Sequence, residues 1–488
     1  MELPAVLHLM SPLGGGVDRY VRDIVAAVER PHVLWHVAER AEVVEIEGSR
    51  RYFPLDPARV DREPEGLVRW LRARGIGLVH LHTVVRAPRL RAEWIAQRLG
   101  VPLLVTLHDV LFLRPDAFQF DDPQPARAWL AEVEPVLRRA QVVFAPSEYL
   151  GALAARTFSG LDVKILPNGL GPRAAEGERE PAARAEFLAD PPGRVVAMLG
   201  AIGPHKGADL LRELPAHLEG SGIGIVVIGY LDQQIYPGWN PRPHVYVHGP
   251  YHPAHTGNLL QAYGAQLVLF PNRVPESFSY SLSEAWAAGV PVLAGPGGAI
   301  GERVARHGGG WLLPEGFGAA TVAAELRRLL APQASGEFAR VKSQLSLPDA
   351  SRVPTLRAMA ESLDAYYRRY GRAAPAPGPA DPAAIDSLLA PSLDSSLFRQ
   401  ELAFLADLCD QSGSDSKRAR DFESEARRWI AKLEGDVSTL QAELTREFEE
   451  RQRLAAELAA AQAVAGVAAR LPNFVKRILA RLARNARS

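Results

Sequence analysis

The chain has 488 residues, 47% of them apolar and 23% charged, and its 56 basic side chains balance its 56 acidic ones. That balance excludes a general nucleic-acid binder, which needs a basic excess, and the length points to two to four domains. A single cysteine, Cys409, excludes a disulfide framework and a cysteine-based zinc site.

No basic segment followed by an apolar run opens the chain, and no stretch approaches the ~20 apolar residues of a membrane span. A cytoplasmic protein without a signal peptide is expected. Fifty arginines stand against six lysines, a bias that makes each lysine conspicuous.

In chain order, strands are predicted over 6–10, 33–37, 78–82, 103–107, 142–146 and 164–166, with helices over 17–29, 65–74 and 91–99. Such alternation means crossover units and a parallel sheet covered on both faces. A polar stretch, 171–189, reads as a linker. The rhythm restarts with a strand over 194–199, a helix over 208–218, and strands over 223–228, 245–247, 267–270 and 291–294. The reading is two doubly wound α/β halves, residues 1–175 and 190–350. Ligands of such sheets sit at the carboxyl ends of the strands, which puts them in the cleft between the halves. A helix over 351–371 follows, and then a stiff Pro/Ala-rich linker over 372–394. Residues 395–465 form a helical extension with an imperfect coiled coil at 421–461, which predicts self-association. Residues 470–488 join a six-residue apolar face to an exclusively basic one, as an interfacial helix at an anionic membrane surface requires.

Three segments carry candidate chemistry. Gly14-Gly15-Gly16 lies between the first strand and helix, where backbone N–H groups can approach a phosphate. Gly203-Pro204-His205-Lys206-Gly207 offers an ammonium in a second glycine-rich turn facing the same cleft. In the third, Glu276 and Glu284 flank Phe278 and Ser279, whose amides can meet phosphates while the carboxylates bind two other parts of one ligand. Taken singly, each of these residues also fits a plain turn or surface charge; the three segments together do not.

The segments Gly15-Gly16-Val17-Asp18-Arg19, Pro167-Asn168-Gly169, Lys206-Gly207 and Glu276-x7-Glu284, over roughly residues 4–370, resemble the signature set of family 4 retaining nucleotide-sugar glycosyltransferases. The resemblance implies the GT-B fold of two facing Rossmann-like domains, with the helix at 357–370 crossing back to the first. It implies that Glu276 contacts the donor sugar, that Glu284 binds the ribose, and that Lys206 neutralises the diphosphate with the amides near Ser279, Gly15 and Gly16. His108 would lie beside the anomeric carbon, and Asn168 belongs to the substrate-binding set. By the same precedent the enzyme needs no metal or cofactor, and its acceptor is a saccharide or lipid-linked saccharide of bacterial surface-polysaccharide assembly.

Two positions depart from the pattern. Ala201 stands where the family usually carries arginine, and Arg273 is the nearby candidate to supply that charge. Gly297-Gly298-Ala299-Ile300-Gly301-Glu302 has one residue more than the usual Gly-Gly-x-x-Glu spacing. These leave two rivals: a sugar-nucleotide epimerase or phosphorylase on the same scaffold, and a degenerate scaffold protein acting through its coiled coil. His80 and His82 read as buried strand-end histidines, since no third metal ligand is apparent beside them.

Overall fold

The computed structural model describes residues 3–11, 15–37, 42–46, 51–55, 60, 64–117, 123–171, 183–231, 237–240, 244–249, 251–346 and 349–372. All belong to one compact unit, Met1–Leu405. The expected Pro/Ala-rich linker, coiled coil and basic terminal helix lie outside the described residues.

The amino-terminal sheet comprises β1 (Ala5–Met10), β2 (His32–Val37), β3 (Glu42–Ile46), β4 (Arg51–Leu55), β5 (Ile76–Leu81), β6 (Leu103–Thr106), β7 (Val142–Ala145) and β8 (Val163–Ile165). Its spatial order is β4-β3-β2-β1-β5-β6-β7-β8. From β2 to β8 the strands run parallel, as the crossover helices require. The central strands β1 and β5 are buried at every residue, because helices cover both faces.

The antiparallel hairpin β3–β4 is an addition the periodicity did not reveal. Its sequence mixes charges with apolar residues, and Pro54 is tolerated because β4 is the edge strand. Glu42 is buried there, accepting from Trp35 Nε1 at 2.9 Å and pairing with Arg91 at 2.5 Å.

The second sheet comprises β9 (Arg194–Ile202), β10 (Ile223–Leu231), β11 (Gly238–Trp239), β12 (Val245–Gly249), β13 (Ala265–Phe270), β14 (Val292–Ala294) and β15 (Gly310–Leu312). Its order is β11-β12-β10-β9-β13-β14-β15, and only β11 pairs antiparallel. This domain begins earlier than residue 190. Helix Ala185–Leu188 places Phe187 inside its core, stacked on Trp239 at 5.7 Å, so the segment beyond residue 182 is not a linker. β9 and β10 approach so closely that a Cβ at Gly229 would stand 2.0 Å from the Gly200 carbonyl oxygen.

The helix Leu356–Tyr370 returns to the first domain. Thr355 Oγ1 caps it by accepting from the Ala358 N–H at 3.2 Å. Its face of Met359, Ala360, Leu363 and Tyr367 completes the core formed by Tyr20, Val21, Ile24 and Phe144. Arg30 pairs with Asp364 on the same helix. No helix among the described residues is long and apolar enough to cross a membrane.

Candidate active site

The two sheets present their carboxyl ends to a common cleft. On the second domain, β9 leads through Gly200 and Gly203 into a 3-10 turn, Pro204–Lys206. Lys206 therefore sits in the turn, one step before the helix Ala208–Leu218. The turn is locked to the loop after β13: His205 O accepts from the N–H groups of Arg273 (3.0 Å) and Val274 (3.2 Å). Gly207, at φ +86°, lies against Pro271 where a Cβ would come within 2.8 Å of a carbonyl oxygen.

This packing brings Lys206 Nζ to 3.2 Å from Glu276 Oε1, which also accepts from Asn272 Nδ2 at 3.1 Å. Glu276 lies in the loop six residues past the end of β13. Lys206, Glu276, Ser279 and Ser281 line one small cavity at the carboxyl edge of the sheet.

Among the described residues Ser279 is the one non-glycine with positive φ, +70°. It caps the helix Tyr280–Ala287 by accepting from Leu282 N–H at 3.3 Å. Strain of this kind costs on the order of 1–3 kcal/mol and persists where surrounding contacts enforce it. Arg303 enforces it: Nη1 donates to the carbonyls of Phe278 (2.9 Å) and Ser279 (3.2 Å), and Nη2 to Ser283 Oγ (2.8 Å) and Arg352 O (2.9 Å). Its guanidinium lies 4.3 Å over the Phe278 ring, and burial pulls its pKa down to about 9. Because a trans peptide opposes its N–H to its C=O, the Ser279 and Tyr280 N–H groups point away from Arg303.

Glu284, in the second turn of that helix, is buried. Its Oε1 pairs with Arg19 Nη1 of the opposite domain at 2.5 Å, and its Oε2 accepts from Thr256 Oγ1 at 3.1 Å. Arg19 also lies 4.2 Å over the Tyr280 ring. Arg19, Thr256, Glu284 and His252 line a second cavity that spans both domains. Sequence reasoning missed Thr256 and Arg303, and saw Arg19 only as part of a motif.

The first domain supplies Gly15 and Gly16, which open the helix Gly15–Ala27; a Cβ at either would meet nothing within 4 Å. His108, two residues past β6, packs edge-on against Tyr20 at 4.6 Å between ring centres. The Ser277 hydroxyl donates to the His108 carbonyl, and Ser147 Oγ donates to Ser277 O at 2.7 Å. The Glu276–Ser279 loop is thereby held against His108. Asn168 and Arg273 are not brought into this group. Asn168 is buried where the chain crosses to the return helix, and the Arg273 side chain is exposed. Among the described residues neither has a side-chain contact with Lys206, Glu276 or Glu284.

The extended glycine loop also has a role. Gly298, at φ +68°, lies where a Cβ would be 2.7 Å from the Glu276 nitrogen, and Ala299 N–H donates to Glu276 O at 2.8 Å. Gly301 abuts the Pro296 carbonyl, and Glu302 accepts from the Tyr149 N–H of the first domain. Gly298→Ala is therefore expected to push Glu276 off Lys206. Turnover at saturating donor should fall by about tenfold or more, while left-handed strain costs only about 1–2 kcal/mol of stability. An unchanged rate in a folded variant would contradict this placement.

His80 and His82 have a third partner that the sequence concealed: His8 on β1 lies directly beside His80 on β5. The three rings are buried and near enough to share a cation. Both nitrogens of each are already bonded, however. His80 holds Tyr367 Oη (2.7 Å) and Thr106 Oγ1 (2.8 Å), His8 holds His32 and His82 (2.9 Å each), and His82 reaches His108 at 3.3 Å.

Two facing Rossmann-like domains with a cleft between them define a GT-B fold, and here a paired lysine and carboxylate lie in that cleft beneath a strained helix N-terminus. Profiles of known families agree. Glycosyltransferase Family 4 matches residues 14–172 and Glycosyl transferases group 1 matches residues 180–341. The chain belongs to the family 4 glycosyltransferases and is a glycosyltransferase. It is 28% identical over 327 residues to a D-inositol 3-phosphate glycosyltransferase of Segniliparus rotundus, covering 64% of this chain and 69% of the relative. A Rhodococcus opacus relative of the same name is 28% identical over 276 residues, covering 53% and 60%. In fold it is similar to Anabaena HepE in complex with UDP and glucose (TM-score 0.55, 17% identity, 75% of this chain and 100% of that one). It is equally similar to sucrose-phosphate synthase from Thermosynechococcus elongatus (TM-score 0.55, 17% identity, 75% and 98%).

Proposed function

We propose that the cleft binds a nucleotide sugar and transfers its sugar, with retention of configuration and without a metal, to a saccharide or lipid-linked acceptor in surface-polysaccharide synthesis. The observation that carries this reading is the convergence of Lys206, Glu276 and Ser279 on one cavity, with His108 fastened to the same loop through Ser277. The cradle suits a diphosphate: an ammonium and a helix N-terminus supply the positive charge.

In the reaction the bond from the anomeric carbon to the diphosphate oxygen breaks, and a bond to the acceptor oxygen forms on the same face. The acceptor's proton passes to the departing phosphate oxygen. Lys206 and the amides at Ser279 and Tyr280 stabilise the charge that develops there, Glu276 orients the sugar and Glu284 the ribose. Donor binding must then displace Arg19 from Glu284.

HepE, whose structures hold UDP with glucose and UDP-glucose, makes UDP the first ligand to try. Calorimetric titration with UDP, GDP and ADP should show saturable binding of one of them, lost in Glu284→Ala. Failure of all three to bind would sink the proposal. Binding without any release of sugar from the matching donor would favour the scaffold reading, which Ala201 supports.

A further inference from the structure

Four imidazoles cross the first domain in single file, one strand at a time. His32 opens β2, His8 lies on β1, His82 follows β5, and His108 follows β6, four neighbouring strands of the sheet. His32 Nε2 lies 3.1 Å from the Val28 carbonyl oxygen, and His32 Nδ1 lies 2.9 Å from His8 Nε2. His8 Nδ1 meets His82 Nε2 at 2.9 Å, and His82 Nδ1 meets His108 Nε2 at 3.3 Å.

One fixed group orders the whole chain. A carbonyl oxygen can only accept, so His32 Nε2 carries a proton. A neutral imidazole has one N–H, so His32 Nδ1 must accept, and His8 Nε2 must donate to it. The same step repeats through His82 to His108, whose Nε2 donates inward and whose Nδ1 is left unprotonated. Burial keeps these rings neutral, holding the pKa of His32 near 4 and that of His108 near 3. The remote end is a carbonyl, which cannot take up a proton, so the file conducts no net proton and serves as an orienting device.

We infer that His32, His8 and His82 are positioning residues that lock His108 in the Nε2–H tautomer, so that any bond its Nδ1 makes to substrate is one it accepts. This rests on the proposed place of His108 beside the donor. His80 stands outside the file, its ring 4.1 Å from that of His82, tied to Tyr367 and Thr106. Tautomer choice of this kind is set by the bond the other ring nitrogen makes.

The test uses the full chain with ¹⁵N-labelled histidine and two-bond ¹H–¹⁵N correlation, which distinguishes the two neutral tautomers. His32, His8, His82 and His108 should all show the Nε2–H pattern. His8→Phe removes the acceptor of the His82 proton. It should lower kcat by about tenfold or more with donor KM within about twofold, and shift His108 from its tautomer. His8→Gln, whose amide both donates and accepts, should restore both readouts. A wild-type His108 in the Nδ1–H or charged form overturns the inference, and this spectrum decides even if His8→Phe fails to fold. So does a folded His8→Phe with wild-type kcat and an unchanged His108 pattern. Loss of the His8 and His82 patterns on adding zinc, reversed by chelation, would make the cluster a metal site and overturn it too. Undiminished transfer by His108→Ala would instead refute the placement of His108 at the donor, leaving the tautomer pattern of the other three as found.

Discussion

Lys206→Ala and Glu284→Ala are each expected to lose roughly 30- to 1,000-fold in sugar transfer, the equivalent of about 2–4 kcal/mol of charge-assisted contacts. The two should differ in character. In the proposed mode Lys206, 28% exposed and 3.2 Å from Glu276, would meet charge that grows as the diphosphate departs, so its loss should fall mainly on kcat. In the same mode Glu284 would hold the ribose in the ground state as well, so its loss should raise donor KM and abolish nucleotide binding. Its removal also leaves the Arg19 guanidinium with only the longer 3.8 Å ion pair to Asp23. Circular dichroism and melting establish that each variant is folded. Wild-type kcat in a folded Lys206→Ala, with donor saturating, would remove the lysine from the reaction.

Acid should unfold the first domain at an unusually mild pH. His8, His32, His80, His82 and His108 are held neutral, and burial lowers the pKa of each; His32 falls to about 4, and His80 and His108 to about 3. In the unfolded chain a histidine titrates near 6.5, so between that pH and about 3–4 the unfolded state binds more protons than the native one. Stability is therefore complete above about pH 6.5 and declines as pH falls. Each histidine contributes about 1.4 kcal/mol per pH unit within the window. With several titrating together, the loss by pH 5 should rival the whole stability of a typical domain, about 5–15 kcal/mol. Buried Asp109, raised to about 6, titrates in the opposite sense and offsets part of this. Chemical denaturation followed from pH 7.5 to 4.5 should give a slope of two or more protons. A flat profile would show that the cluster is hydrated or already charged.

What the sequence revealed follows from the physics of each feature. The parallel cores were legible because strands buried on both faces leave near-continuous apolar runs, as at β10. The return helix was expected from the family resemblance, and its buried face repeats every four residues at Met359, Leu363 and Tyr367. The β3–β4 hairpin was not, because an edge hairpin carrying Glu42, Glu45 and Pro54 has no run to detect. In the site, Lys206, Glu276 and Glu284 stood out as candidates through a glycine-rich turn and the Glu-x7-Glu spacing, and His108 through the family resemblance alone. Arg303 acts on Ser283 from 20 positions away and Thr256 on Glu284 from 28, separations that only tertiary folding closes. The histidine file was invisible for a related reason. His8, His32, His82 and His108 lie on four strands adjacent in space and scattered in the chain, and nothing marks His8 locally except that it interrupts an apolar strand.

What leaves the cleft decides whether this protein is a retaining transferase. Proton NMR of the full chain with the α-linked nucleotide sugar whose nucleotide binds best would follow nucleoside diphosphate and free sugar together, before mutarotation mixes the anomers. Retaining transfer to water predicts nucleoside diphosphate rising with the α-anomer, and no such signal from Lys206→Ala. First appearance of the β-anomer would contradict retention, and a bound nucleotide with no release above the buffer rate would contradict the transferase itself.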